Sequence, residues 1–420
     1  MRIVTVSSCH HHGRLCRARI PDTILSFADE LVGIRRDIHT HPELGFDTAR
    51  TCGVIGEKLA EWGIAHNAAS IPGGVIALVE GERPGPTIAL RADMDALAVS
   101  DGSSVPWRSV VENRSHGCGH DGHTAWLLGA LRALSVERDF PGRVIGIFQP
   151  AEEIGRGAAR IVRSGLFDRL GPAEIYGAHG SMRYPAGEFG IQAGPMQASC
   201  DYFYITLRSR APSCGHCDAT GLGFDPAAAT ALLSQSLQAI LASKVAPTAA
   251  AKLSITAISS GELSEPMMAP ETLELEGTIQ AFSEEVRDLV AQEVRVVTER
   301  IARSLDLGHE VRIDRLTPPL INSEVPARAA ARIARRLFGE DCVRDVPRSM
   351  SGEDFAEYLR KMPGVQMYVG LADASHSAER HTAEFDFNDA VIPLAAHLLS
   401  TIARMRLEAL APAAADDAAD

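Results

Sequence analysis

His116-Gly117-Cys118-Gly119-His120-Asp121-Gly122-His123 runs directly into the apolar pattern Thr124 to Leu134. Beyond it, Val144-Ile145-Gly146-Ile147-Phe148 ends at Gln149-Pro150-Ala151-Glu152-Glu153. The continuous apolar run has the character of a strand buried on both faces, and the segment before it has helical periodicity. Working outward, Gly74-Val75-Ile76-Ala77-Leu78-Val79 and Thr87-Ile88-Ala89-Leu90 read as further buried strands bounded by Gly and Pro. Glu174-Ile175-Tyr176-Gly177-Ala178 reads as another, after an intervening helix. Strands alternating with helices in this way predict an α/β sheet. A helical pattern begins at Thr23, and a last helix is expected from Ala390 to Leu407.

Between Asp201 and Leu316 the rhythm changes. Tyr202 to Leu207 alternates like a strand, Pro226 to Ser243 is an Ala/Leu-rich helix and Leu253 to Ile258 is a second strand. Thr272 to Phe282 alternates as a third, Ser283 to Ser304 is a charged amphipathic helix and Glu310 to Leu316 is a fourth strand. The order β-α-β-β-α-β is the ferredoxin-like arrangement. The expected organisation is a mobile extension over residues 1–20, one domain over 21–200 plus 317–410, and a second domain inserted over 201–316, placed to serve as a lid or in dimerisation. A disordered tail is expected over 411–420.

The chain has 420 residues, 45% of them hydrophobic and 23% charged, which suits packed domains rather than a disordered or collagen-like chain. Lys+Arg 41 against Asp+Glu 54 gives a net charge of -13, and no basic block stands out, so nucleic acid and anionic membranes are disfavoured as partners. A small-molecule substrate is expected. With 8 Cys in so long a chain and no secretory apolar segment at the start, reduced thiols in a cytoplasm are expected. No run of 18 apolar residues suggests a membrane span.

The 15 His gain interest beside the thiols, because imidazole and thiolate are the usual ligands of zinc-like ions. Cys118 and His120 can meet on one ion only if the backbone turns sharply between them, which the flanking glycines permit. A solvated Gly/His loop would look the same in isolation. Glu152 and Glu153 stand at a strand end, where open α/β sheets place ligand crevices, and can divide labour between metal ligation and proton transfer. His179 stands at the end of the next strand. A metal centre with an acid beside it is a hydrolytic site.

Taken with Arg36-Asp37-Ile38-His39-Thr40-His41-Pro42-Glu43-Leu44-Gly45-Phe46 and Leu90-Arg91-Ala92-Asp93-Met94-Asp95-Ala96-Leu97, these motifs resemble the metal-dependent amidohydrolase branch of the aminoacylase and carboxypeptidase superfamily. Gly194-Pro195-Met196, Gly277-Thr278, Ser351-Gly352-Glu353-Asp354-Phe355 and His381 before Phe385-Asp386-Phe387-Asn388-Asp389 extend the match over about Ile34 to Leu399. The resemblance implies a metallopeptidase-like catalytic domain with an inserted ferredoxin-like domain. It implies metal ligation by Cys118, His120, Glu153, His179 and His381, with Glu152 as general base. Asp93 and Asp95 would orient ligands from behind, while His39 and His41 read as packing residues. The cofactor would be a divalent transition metal (Mn, Zn, Ni or Co), one or two ions per subunit.

The inserted domain carries Cys214-Gly215-His216-Cys217. A thioredoxin-type redox reading needs this motif to open a helix, whereas here it follows a strand and runs into Gly221-Leu222-Gly223. The resemblance instead aligns His216 with an oxyanion-stabilising His supplied to a partner subunit, which implies a homodimer or higher homo-oligomer. Where relatives carry Asn and Arg to hold the substrate's carboxylate or oxyanion, this chain has Met267 and Gln280. A bidentate Arg clamp cannot be rebuilt from Gln. The expectation is a metal-dependent C–N hydrolase with an altered substrate pocket, acting on an N-acyl amino acid or similar conjugate. Release of ammonia from an activated aminobenzoate such as 5-nitroanthranilate is the alternative, and a non-catalytic metal-binding assembly protein ranks below both because Glu152 is present.

Overall fold

A computed structural model describes residues 2–6, 16–68, 71–210, 224–261 and 270–412. The chain forms two compact units. One runs up to Gly194 and resumes over Ile321–Pro347 and from Glu357, and the other comprises Pro195–Leu320 with Arg348–Ala356.

The larger unit is built on an eight-stranded sheet. Its centre is parallel: Gly364–Ala372 pairs with Glu174–Pro185, that strand with Arg83–Asp93, and that in turn with Pro141–Gln149. Val75–Glu80 and then Ala65–Asn67 extend one edge antiparallel. Buried on both faces, the parallel strands read as unbroken apolar runs because no face has water to meet. The chain leaving Asp93 returns through helix His120–Val136 to Pro141–Gln149 on one side of Arg83–Asp93, and the chain leaving Gln149 returns to Glu174–Pro185 on its other side. At such a reversal the loops diverge and open a crevice at the strands' C-terminal ends. Helix Ile392–Leu410 packs on helix His120–Val136 and on strand Arg83–Asp93. It sits within Asp389–Leu410, a stretch long and apolar enough to cross a membrane, yet 78% of that stretch's most apolar window is buried, as befits a core helix.

The smaller unit has the sheet order Ala251–Ser259, Thr272–Ala281, Cys200–Ser209, Leu307–Thr317, antiparallel at every pairing. With helices Pro226–Lys244 and Glu284–Ser304 as crossovers, this is the ferredoxin-like topology. Alternate residues of Thr272–Ala281 are buried, so one sheet face carries Phe203, Ile205, Leu207, Leu273, Leu275 and Ile279 against the helices. Asp225 caps the first helix by accepting from Ala227 and Ala228, and Ser283 caps the second by accepting from Val286.

The structure corrects the sequence expectation at several points. Arg2–Val6 and Cys16–Ile20, expected to lack regular structure, are strands paired antiparallel, with Ile20 fully buried. Pairing satisfies their backbone groups, and strands this short leave too little pattern to read. Arg348–Ala356 belongs with the smaller unit rather than the catalytic domain, because Ser349 exchanges backbone bonds with Met196 and Ala198. His179 lies inside a strand that continues to Pro185, held by its parallel neighbour, and not at its end.

Candidate functional site

Within the larger unit, two glycines shape the turn that holds Cys118 and His120. Gly119 has φ of +90°, and a Cβ there would meet Phe387 at 2.9 Å. A Cβ on Gly122 would lie 2.2 Å from the same ring. Only hydrogen at both positions lets the chain reverse after Cys118 while the Phe387 ring closes against it. The helix then starts at His120 itself, earlier than Thr124, which places His120 and His123 on one face with ring centroids 5.3 Å apart. Across the crevice, Ala151 adopts φ of +59°. For a residue with a Cβ this costs about 1–2 kcal/mol. The turn aims the Glu152 and Glu153 N–H groups at the two carboxylate oxygens of Asp95, at 2.9 and 3.2 Å.

Asp95 also fixes the first imidazole. His120 Nδ1 donates to the Asp95 carbonyl at 2.9 Å, leaving the Nε2 lone pair directed inward. That Nε2 stands 3.7 Å from Glu153 Oε1 and 3.9 Å from Glu152 Oε2. The donor atoms of Cys118, His120 and Glu153 lie within 4.8 Å of one another. Cys118 Sγ is also 3.4 Å from His179 Nε2 and 3.2 Å from His381 Nε2, and the ligand atoms of Asp93, His120, His123 and His179 lie within 4.8 Å of one another. His179 Nδ1 donates to the Gly180 carbonyl at 2.8 Å. His381 has φ of +65°, and its N–H donates to the Gly117 carbonyl at 2.8 Å, which ties its loop to the Cys118 turn.

Behind these groups lies a fully buried layer. Asp93 accepts from Arg91 Nη1 at 2.6 Å and from His123 Nδ1 at 2.5 Å, and His123 Nε2 accepts from the Gly180 N–H at 2.8 Å. Burial alone would raise the Asp93 carboxyl, but His120, Arg91 and His123 hold it well below the usual carboxylate range. Asp121 forms ion pairs at 2.8 Å with Arg35 Nε and with His39 Nδ1. His39 is therefore a buried charge partner as well as a packing residue. Burial opposes its protonation, yet the Asp121 charge raises its pKa.

Burial pushes the Cys118 thiol up to about 11, with the Glu153 charge adding to the rise. Burial likewise pushes the Glu153 carboxyl up to about 7. By themselves, then, these groups resist the charge that ligation requires. His120 Nε2 and Glu153 Oε1 are buried with no hydrogen-bond partner among the described residues. Each orphaned polar atom costs about 1–3 kcal/mol, which a cation on the shared lone pairs offsets. A thiolate, an imidazole and a carboxylate together suit a divalent ion of the zinc type. The residues fit the metal centre that the resemblance implies.

The profile of peptidase family M20/M25/M40 matches residues 89–405, which is most of the chain. The chain belongs to that family. It is accordingly a hydrolase. N-acetylcysteine deacetylase of Bacillus subtilis is 33% identical over 387 residues, 92% of this chain and 99% of that protein. Hippurate hydrolase of Campylobacter jejuni is 30% identical, covering 91% of this chain and 98% of its own length. Among solved structures, a Bacillus subtilis protein described as a dinuclear metal binding peptidase from the M20 family superposes with a TM-score of 0.80 at 32% identity. That match covers 91% of this chain and 99% of that one.

The remaining sequence candidates lie elsewhere. Gln280 is in the smaller unit, where its amide donates to the Met350 carbonyl. Cys214, His216, Cys217 and Met267 fall outside the described residues, as does the His10-His11-His12 run. Sequence reasoning missed Arg380, whose Nη1 stands 3.7 Å from Cys118 Sγ and 3.1 and 3.2 Å from the two ring nitrogens of His179. Its position immediately before His381 was the available signal.

Proposed function

We propose that this M20/M25/M40 hydrolase cleaves the amide bond of an N-acyl amino acid or a similar small conjugate, using Glu152 as general base. The observation that carries the reading is the convergence of buried His120 Nε2 and Glu153 Oε1, both without hydrogen-bond partners among the described residues, on Cys118, with Glu152 Oε2 3.9 Å from the same imidazole nitrogen. Relatives named for deacetylation of N-acetylcysteine and for hydrolysis of hippurate support an acyl-amino-acid substrate class.

Cys118, His120 and Glu153 would hold a divalent ion, with His179 and His381 also within reach of the sulfur. When bound, the ion supplies Lewis acidity that makes water acidic near neutral pH and polarises a carbonyl. The protein's own groups do the rest. Asp95 holds the Glu152 and Glu153 backbone in place, so the Glu152 carboxylate is presented at the His120 edge to take a proton from the attacking water. Glu152 then returns that proton to the leaving nitrogen. The Asp93 carboxylate and the Gly180 N–H engage the two ring nitrogens of His123 and fix that imidazole in the inner wall.

The test is to incubate metal-loaded protein with a panel of N-acyl amino acids and with nitro-aminobenzoates, assaying free amino acid against free ammonia. Amino acid release is expected, and Glu152→Gln should lower kcat by about 10²–10⁴ while the bound metal is retained. Ammonia from a nitro-aminobenzoate, with no amino acid from any acyl donor, would replace this reading with the aromatic one. Undiminished turnover by Glu152→Gln would remove Glu152 as the base.

A further inference from the structure

We propose that the Arg380 guanidinium is a built-in cation on the His179 side of Cys118, so that this centre takes a single divalent ion, on the His120–Glu153 side. The inference rests on the reading of the cluster as a metal centre. Cys118 stands between two half-sites of different character. On one side, His120 Nε2 and Glu153 Oε1 are buried acceptors with no hydrogen-bond partner among the described residues. That half offers a carboxylate and an imidazole that can give up its proton to a metal ion.

The other half already holds a cation. There the sulfur faces His179 Nε2 at 3.4 Å and His381 Nε2 at 3.2 Å, the donors a second ion would need. Arg380 Nη1 lies against the same atoms, 3.7 Å from the sulfur and 3.2 Å from His179 Nε2. His179 Nδ1 is committed to the Gly180 carbonyl, and Arg380 Nη1, 3.1 Å from Nδ1 and 3.2 Å from Nε2, lies against the ring, so its charge stands beside any ion that Nε2 would hold. Arginine is always charged in a folded protein, so it cannot vacate the place by losing a proton. A guanidinium is also weakly hydrated and planar, which suits it to lie against an imidazole in a partly dry site. The His381 turn that brings one ligand to the sulfur carries Arg380 with it, since the two are adjacent in sequence. A second divalent ion would have to expel Arg380 or sit against its charge.

The experiment is manganese loading of the full chain after chelator treatment, with ions counted by mass spectrometry and the bound Mn(II) examined by electron paramagnetic resonance. Wild type is expected to hold one ion at this centre and give the spectrum of an isolated Mn(II). Arg380→Met is expected to hold one more ion than wild type and give an exchange-coupled pair, and Arg380→Lys, which keeps the charge, is expected to stay uncoupled. Ions bound loosely by the His10-His11-His12 run add to the count but do not couple, and they cancel in the difference. A coupled pair in wild type or in Arg380→Lys overturns the proposal, as does an Arg380→Met protein that keeps its single uncoupled ion. Arg380→Gln carries the same expectation should the Met variant not fold, and the wild-type spectrum tests the proposal with no variant at all. A wild-type chain that holds no ion overturns the metal-centre reading beneath it, which is a distinguishable result.

Discussion

Arg35, Arg91, Asp93, Asp121 and His123 lie in the interior of the larger unit, whereas Phe203, Leu207, Leu237, Leu275 and Val294 fill the interior of the smaller one. Both interiors are closely packed, but they are held differently. In the larger unit, beside its apolar core, Arg91 is paired with Asp93, and Arg35 and His39 with Asp121. In the smaller unit the helix-covered sheet face is apolar, and a salient buried charge is the pair of Asp201 with Arg287 beside the first strand. The contrast teaches where each unit can tolerate change. Paired interior charge makes a unit specific and brittle, because removing one partner strands the other, while an apolar face loses only the transfer energy and cavity of what is removed.

That contrast can be broken by substitution. Arg35→Met should be the most damaging, at about 3–5 kcal/mol, because it leaves Asp121 buried without its guanidinium. Adding Asp121→Asn should recover part of the loss in denaturant unfolding, and a cost below about 1 kcal/mol for the single variant would show that the pair is not what holds the helix start. Leu237→Ala, in the apolar core of the smaller unit, should cost about 2–5 kcal/mol. The metal content of the folded fraction should not change, so co-loss of metal would break the separation between the units.

Acid should sharpen the difference. Burial lowers the His397 imidazole to about 4, with the charge of Glu137 opposing and that of Arg404 reinforcing. A base whose folded pKa is depressed binds its proton first in the unfolded chain. Stability is therefore full above the unfolded value and is lost as pH falls from about 6.5 toward 4. The loss amounts to up to about 3 kcal/mol from this residue. Amide exchange should show helix Ile392–Leu410 losing protection over that range before the sheet of the smaller unit does, and His397→Gln should weaken the trend. Simultaneous loss in both units would remove the distinction. The smallest effect is expected on the open sheet face, where Ile258 is 50% exposed. Ile258→Lys should change stability by no more than about 0.5 kcal/mol.

How much was legible beforehand depended on the range of the interaction. Val144 to Phe148 and the alternation of Tyr202 to Leu207 were readable because burial on two faces or on one imprints a period on neighbouring residues. Cys118, His120, Glu152 and Glu153 stood out because reactive side chains next to Gly and Pro are locally unusual. His39 was read as a packing residue because a lone His on a helix carries no sign of the Asp121 that meets it. Gln280 was singled out as a pocket residue, and nothing local indicated that its amide would be engaged by the Met350 carbonyl.

The sequence by itself determined the two folding patterns and marked Cys118, His120, Glu152 and Glu153 as candidates, since both follow from residue type and short spacing. Tertiary structure alone decided which imidazole nitrogens are engaged by backbone carbonyls, which of these side chains meet at Cys118, and that a guanidinium stands among them. Arg380 and Cys118 are 262 positions apart in the chain, and Arg380 and His179 are 201 apart. No periodicity spans such distances. Only the closing of the sheet and the left-handed turn at His381 bring those charges within reach of one another.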